Sequence, residues 1–586
     1  MKKKSCQQVK PRIPLEVDGV QVNFCKNPVC DNYGVPASTQ KQRRGRNARL
    51  TGDVYTIVSS GKGIPMLHCH KCGEYPTLKS NQGIADEIQR MCIQFNEEEP
   101  SCPVEACSNH NVSIDQGKDF YSFFGKTTGG SQRFKCKACG KVFTISKSTA
   151  RQRMPHKNKT IFSLLMNKVP FKRICEVADV HPKTIYDKIN FIHKQCTSFV
   201  ADREQKLLDG KNIRRLYVSV DQQDYVVNWT KRFDKRNIML SAVGSADNET
   251  GYVFGMHLNY EPNLDATAIE ADAIVEDDYN TPRPFRTHAR LWLQGDYDDA
   301  VKHSAARKHV NGMGSEIEAE YDIATGRDDV EVSESTNATN RLPAKGVQVH
   351  AEYTLYGHFF YLHKLFGGAE KVRFFLDQDS GMRAACLAAF QPEITGRSCD
   401  AFYVRLNKEM TVDEKRHALA DSRKFFREAQ EKNPNLTENE VKLLLIKQRM
   451  VGMPEIGKWK DRWLLHPFPN MSEPEKAICY LTDYGDYDEN HMAWLYNKSS
   501  MHGIDCFFMQ VRRRLSLLER PIKTASKTGR TWYGYSPYNP AVIAKLLDIF
   551  RVYYNYCLAG KDKQTPAMRI GLAKGPVKLE DVIYFS

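Results

Sequence analysis

The chain reads as a multidomain α+β protein, and three observations predict it. A cysteine grammar occurs twice near the N-terminus, two short amphipathic helical patterns flank a tight turn, and β-branched runs later in the chain end on aspartates. At 586 residues the chain is long enough for several hydrophobic cores. Two small metal-held units, a helix pair and a larger α/β core with helical insertions account for most of that length.

Composition narrows the class. Mean hydropathy is −0.55, and no apolar run approaches the ~20 residues that a spanning helix needs, so no membrane partner is expected. Met1-Lys-Lys-Lys-Ser-Cys is basic but lacks an apolar segment behind it, which argues against a secretory signal and for a protein that stays in the cytosol or at the DNA. The formal net charge is +15; residues 1–200 hold 32 Lys+Arg against 16 Asp+Glu, which is +16, so the other 386 residues sum to −1. A polyanion binder with its basic footprint at the N-terminal end fits that distribution.

Seventeen cysteines in a cytoplasmic chain point to metal before disulfides. Cys25 and Cys30 (Cys-x4-Cys) precede Cys69 and Cys72 (Cys-x2-Cys-Gly). Cys102 and Cys107 repeat the first element, and Cys136 and Cys139 the second. Zn2+ takes four thiolates in a tetrahedron, and two tight knuckles joined by a hairpin supply them, so two zinc ribbons with one structural Zn2+ each are expected. Such small units draw their folding energy from the metal. His68 and His70 flank Cys69 and could compete as ligands, but the parallel with the second set favours cysteine. Within the first ribbon, Lys41 to Arg49 forms a basic loop in which Arg43, Arg44 and Arg46 suit a phosphate backbone.

Residues 151–205 read as a helix-turn-helix. Ile174, Val177 and Ala178 give a short helix its apolar face, Val180 and His181 make the turn, and Ile185, Ile189 and Ile192 line a second helix. Lys183, Thr184, Tyr186 and Lys188 are expected to point outward from that helix toward double-stranded DNA.

The remaining pieces assemble around aspartates. Leu216, Val218 and Val220 alternate with Tyr217 and Ser219 and run into Asp221. Strands over Asn237 to Val243 and Tyr252 to Leu258 follow, joined by a turn at Ser245 to Gly251. Three consecutive strands led by an acid suggest an RNase H-like core. Further on, Lys371 to Asp377 is again a strand ending on an acid, with Asp379 in reserve, and Asp400 to Leu406 is a fifth strand. Residues 277–345 read as an acidic insertion whose acids are solvated, and 411–489 as a mainly helical insertion. Asp505 opens a helix carrying Arg512, Arg513 and Arg514; a helix-capping role is the rival reading for this acid. The expected domains are therefore 1–80 and 81–150 (ribbons), 151–205 (helix-turn-helix), and core segments 206–276, 346–410 and 490–586 around the two insertions.

On these residues the chain resembles the DDE/DDD transposases of bacterial insertion sequences. The likeness rests on Val218-Ser-Val-Asp221, on Phe375-Leu-Asp377-Gln-Asp-Ser-Gly-Met, and on Ile504-Asp505 through Arg520. Tyr553-Tyr-Asn-Tyr556 and Thr565-Pro-Ala-Met also look like the end of such domains. It implies metal-dependent DNA strand cleavage and strand transfer at Asp221, Asp377 and Asp505, with two Mg2+ or Mn2+ ions as catalytic cofactors. It also implies arginines 512 to 514 lying along DNA, and a homodimer or larger synaptic complex. Most relatives carry Glu as the third acid, where this chain has Asp505. A DNA-binding regulator without cleavage, or a structure-specific nuclease, are the alternatives.

Overall fold

The period-2 alternation of Leu216, Val218 and Val220 builds the middle of an eight-stranded mixed sheet. The computed structural model describes residues 11–40, 54–59, 64–96, 100–114, 119–145, 148–150, 152–228, 237–302, 342–343, 345–407, 410–457, 459–519, 522–523, 531–532 and 538–585. In chain order the sheet strands are β1 (Leu216–Asn228), β2 (Asn237–Asp247), β3 (Val253–Leu258), β4 (Val372–Leu376), β5 (Cys399–Leu406), β6 (Glu455–Ile456), β7 (Asp461–Leu465) and β8 (Lys476–Tyr480). They lie in the order β6-β7-β8-β5-β4-β1-β2-β3. β1, β4 and β5 are parallel, β1 to β3 form an antiparallel meander on one side, and β8, β7 and β6 add antiparallel strands on the other.

Both faces of the sheet are covered, which is why β4 (Val-Arg-Phe-Phe-Leu) is buried at every position. Helices Glu489–Lys498 and His502–Arg514 cover the face that carries Tyr217, Ser219 and Phe402: Trp494 meets Tyr217 at 6.1 Å and Tyr496 meets Phe402 at 6.3 Å between ring centres. Helices Ala351–Leu365 and Ser380–Ala389 cover the other, where Phe359 and Phe390 pack on Phe374.

The chain divides into two compact units: Met1–Met91 with Leu207–Gln510 and Ser536–Ala544, and Cys92–Lys206 with Val511–Tyr535 and Lys545–Ser586. The first cysteine unit therefore belongs with the sheet. Tyr33 Oη donates to the Leu387 carbonyl at 2.6 Å, Arg383 pairs with Glu74, and Lys79 pairs with Glu352. In the other unit, helices Phe171–Ala178 and Pro182–Leu208 meet at Asp179, whose left-handed backbone (φ 46°) makes the turn. Buried Glu204 of the long helix accepts from Arg551 at 2.6 Å. No helix among the described residues is long and apolar enough to cross a membrane.

Three expectations need correcting. β1 does not stop at Asp221 but runs to Asn228, because Tyr225 and Val227 keep the alternation and β2 pairs along it as far as Asn228↔Asn237. The 411–489 segment carries its two expected helices but is not helical throughout. After helices Val412–Lys432 and Glu438–Val451, each opened by a Thr/Glu capping box, the short apolar runs at Trp463-Leu464 and Ala477-Ile478 extend the sheet as β7 and β8. The acids of 277–345 are not all solvated. Asp278 accepts from the Thr287 and His288 N–H groups at 2.8 and 2.9 Å, and buried Asp296 pairs with Arg283. Next to them the Trp292 backbone N–H donates to the carbonyl of Gln348, on a two-stranded ribbon formed by Val347–Gln348 and Tyr260–Glu261. Residues 303–341 and 344 lie outside the described residues.

Candidate functional site

The parallel register of β1 and β4 ends at Val220↔Leu376, and the next residue on each strand is an aspartate, Asp221 and Asp377. The Asp377 N–H donates to the Val220 carbonyl at 3.2 Å, which carries the pairing one step past the strand. Neighbouring parallel strands lie about 4.8 Å apart and residues in register share a face, so the two carboxylates stand side by side. They sit at the carboxyl ends of adjacent parallel strands, where open α/β sheets place their ligands. Asp221 is 6% exposed, and its Oδ1 accepts from the Gln222 N–H at 2.7 Å. Asp377 makes the same local bond to Gln378. Asp379 instead caps the following helix, accepting from Met382 N–H at 2.6 Å.

Helix His502–Arg514 lies across the same face. Ile504 N–H donates to Ser219 Oγ at 3.0 Å, and Ser219 shares its side of β1 with Asp221. Gly244 is the register partner of Asp221, and a Cβ there would come within 2.7 Å of Ile504 and 2.9 Å of Phe508. The missing side chain is what lets the helix approach. Asp505 sits between those two contacts in the first turn, with its own N–H bonded to the Met501 carbonyl at 3.0 Å, so it does not occupy the N-cap position. Buried Glu473 fixes the start of this helix by accepting from Met501 N–H and Ser500 Oγ.

Among the described residues, the groups that bring three or more ligand atoms within 4.8 Å of one another are the two cysteine quartets, Cys25/Cys30/Cys69/Cys72 and Cys102/Cys107/Cys136/Cys139. The three aspartates do not converge to that degree. A pair of ions ~3.5 to 4 Å apart spreads its carboxylates more widely than one tetrahedral ion spreads its thiolates, and carboxylate oxygens are the donors that hard divalent ions select.

The quartets fit zinc. Sγ···Sγ distances are 3.4 Å for Cys25–Cys72 and 3.8 Å for Cys30–Cys69 in the first, and 3.5 Å for Cys102–Cys139 and 3.7 Å for Cys107–Cys136 in the second. A tetrahedron with Zn–S near 2.3 Å has edges of about 3.8 Å. A hydrogen bond from Cys25 holds the Cys72 thiol down to about 5, whereas Cys25 is pushed up by that same bond and by burial. His70 bonds Thr56 and His68 stacks on Tyr75, while the group of converging ligand atoms consists of the four cysteines. The internal repeat also extends beyond cysteine. Asn32 and Asn109, each two residues after the second cysteine, donate to Cys69 and Cys136. The hydroxyls of Tyr55 and Tyr121 accept from Cys25 and Cys102 N–H and donate to backbone carbonyls. The repeated Cys-x-Asn was visible in the sequence; the tyrosines, at unequal distances from their cysteines, were not.

The basic residues divide. Lys183 is exposed, Thr184 and Tyr186 are half-buried, and Tyr186 packs edge-on against Phe171. Lys188 does not point outward: it is 2% exposed, and its Nζ donates to the Arg153 and Met154 carbonyls at 2.7 and 3.1 Å. Three residues after Ile185, it falls on the helix's apolar face. Arg513 is exposed, Arg512 and Arg514 are half-buried, and Arg514 lies over the Tyr553 ring. Arg43, Arg44 and Arg46 lie outside the described residues. Neither protein-family models nor curated proteins match this chain, so its function is read from its own residues.

Proposed function

We propose that the chain is a DNA transposase of the DDE/DDD type, and the observation that carries this is the side-by-side placement of Asp221 and Asp377 under the helix that bears Asp505. The strand order β3-β2-β1-β4-β5, an antiparallel meander followed by two parallel strands, supports an RNase H-like core. Asp221, Asp377 and Asp505 would hold Mg2+ or Mn2+, which supplies Lewis-acid activation of the attacking oxygen and stabilises the leaving one. The chain's own part is to fix the acids on a rigid sheet and helix. In strand cleavage, water attacks the phosphorus and the 3′-oxygen leaves. In strand transfer, the freed 3′-hydroxyl attacks a target phosphate and displaces the target strand's own 3′-oxygen.

The helix-turn-helix, in the basic N-terminal third, is proposed to hold double-stranded element ends, with a dimer or larger synaptic complex bringing two ends together. The test is incubation of the purified chain with candidate end DNA and Mg2+ or Mn2+, scored for nicking and for joining. Both activities, abolished by Asp377→Asn, support the transposase. Nicking without joining identifies a nuclease, and binding without either identifies a regulator.

A further inference from the structure

The second cysteine unit carries two phenylalanines that its own core does not use. Its buried cluster is Cys102, Tyr121, Phe134 and Cys136. Phe123 is 72% exposed and Phe124 46%, both on Tyr121–Lys126, an edge strand of the three-stranded sheet. Alternation sends the two rings to opposite sides of that edge. Phe123 extends an aromatic row, 5.0 Å from Phe134. Phe124 faces a cation instead, with the Arg133 guanidinium 5.1 Å from its ring centre. Register pairs Ser122 with Lys135 and Arg133 with Thr144, so Lys135 shares the Phe124 side. Residues 121–145 include Lys126, Arg133, Lys135, Lys137 and Lys141 and no acidic residue.

Flat rings in water beside a one-sign set of cations match a ligand with exposed ring faces and a regular negative charge. A duplex hides its base faces in the stack; a single strand offers them, and stacking on aromatic rings tolerates any base. A purely apolar protein partner would leave five cations without a role. We infer that this sheet binds single-stranded nucleic acid, with bases stacked on Phe124 and Phe123 and phosphates against Lys126, Arg133 and Lys135. The inference deepens the proposed DNA-binding reading and is independent of cleavage at the aspartates. A strand-cutting protein has use for such a surface, since opened ends are single-stranded.

The test uses the full chain and fluorescence anisotropy with two probes, an oligothymidine of about 20 nucleotides and a duplex of equal length. Phe124→Ala should weaken oligothymidine binding roughly tenfold, and Phe123→Ala/Phe124→Ala further, with duplex affinity unchanged. Phe124→Trp should restore binding. Zinc content and circular dichroism of each variant report on folding, because neither ring belongs to the buried cluster. The inference is overturned if the parent chain ignores oligothymidine, if folded alanine variants bind it as well as the parent, or if they lose duplex affinity to the same extent. A chain that binds oligothymidine through these rings yet cuts no DNA would refute the transposase reading and leave this one standing.

Discussion

Arg383 holds the Glu74 carboxylate at 3.2 Å, and this ion pair joins the first cysteine unit to the helix that follows Asp377. Glu74 is 4% exposed and also accepts from Lys26 N–H at 2.5 Å and from Cys25 Sγ at 3.2 Å. Removing one partner of a buried pair strands the other. Glu74→Ala is expected to cost about 3 kcal/mol, read as a lower urea midpoint at unchanged slope. An unchanged midpoint would mean that the two elements are held together by other contacts.

Zinc should be present at two ions per chain, but the two sites should differ when lost. Cys69→Ser/Cys72→Ser removes a site packed within the sheet unit, so it should lower the melting temperature of that unit by several degrees as well as zinc content. Cys136→Ser/Cys139→Ser should remove one zinc and leave the sheet unit's transition in place. Elemental analysis together with calorimetry checks both halves, and equal damage from the two variants would contradict the division.

For the acids, Asp221→Asn and Asp377→Asn should each reduce Mg2+-dependent cleavage by about a hundredfold or more while leaving DNA affinity intact. Asp505→Asn separates a metal-binding role from a local one, since Asn keeps the shape and loses the charge. Near-parental cleavage by that variant would move the third role to another acid. Asp488 is already committed to capping helix Glu489–Lys498, which leaves Glu489 and Glu519, the latter paired with Lys168, as the next to test.

Lys183 and Lys188 should part company. Lys183→Ala is expected to weaken duplex binding and flatten its salt dependence without affecting stability. Lys188→Ala removes a buried side chain whose Nζ is held by the Arg153 and Met154 carbonyls and should cost about 1 to 3 kcal/mol of stability. Thermal melts and salt-titrated binding curves on both variants decide it.

Glu473 gives the sheet unit a pH dependence. Burial raises its pKa, but Lys476 and the donors at Ser500 and Met501 outweigh that and hold the carboxyl below its ordinary 4.5. A carboxyl depressed in the folded state contributes stability that is fully present above about 4.5 and is lost as pH falls through the depressed folded value. Glu473→Gln should therefore destabilise the chain at neutral pH, and the gap to the parent should narrow as the medium is acidified. Urea midpoints at several pH values provide the measurement, and a constant gap would count against this role.

Local patterns were legible in the sequence because they are set by neighbours in the chain. The paired cysteine knuckles, the turn between Ala178 and Pro182, and the β-branched run leading to Asp221 follow from spacing, capping and alternation alone. Tertiary structure decided the rest, for reasons that lie far apart in the chain. Lys188 looks like a surface lysine until residues 152–154 present their carbonyls to it. The acids at 278 and 296 look solvated until backbone N–H groups and Arg283 close on them. β7 and β8 carry no periodic signal that sets them apart, and they exist because β5 offers an edge to β8 and β8 in turn offers one to β7. The juxtaposition of Asp221 with Asp377 is likewise a property of parallel register, a long-range pairing that no local period encodes.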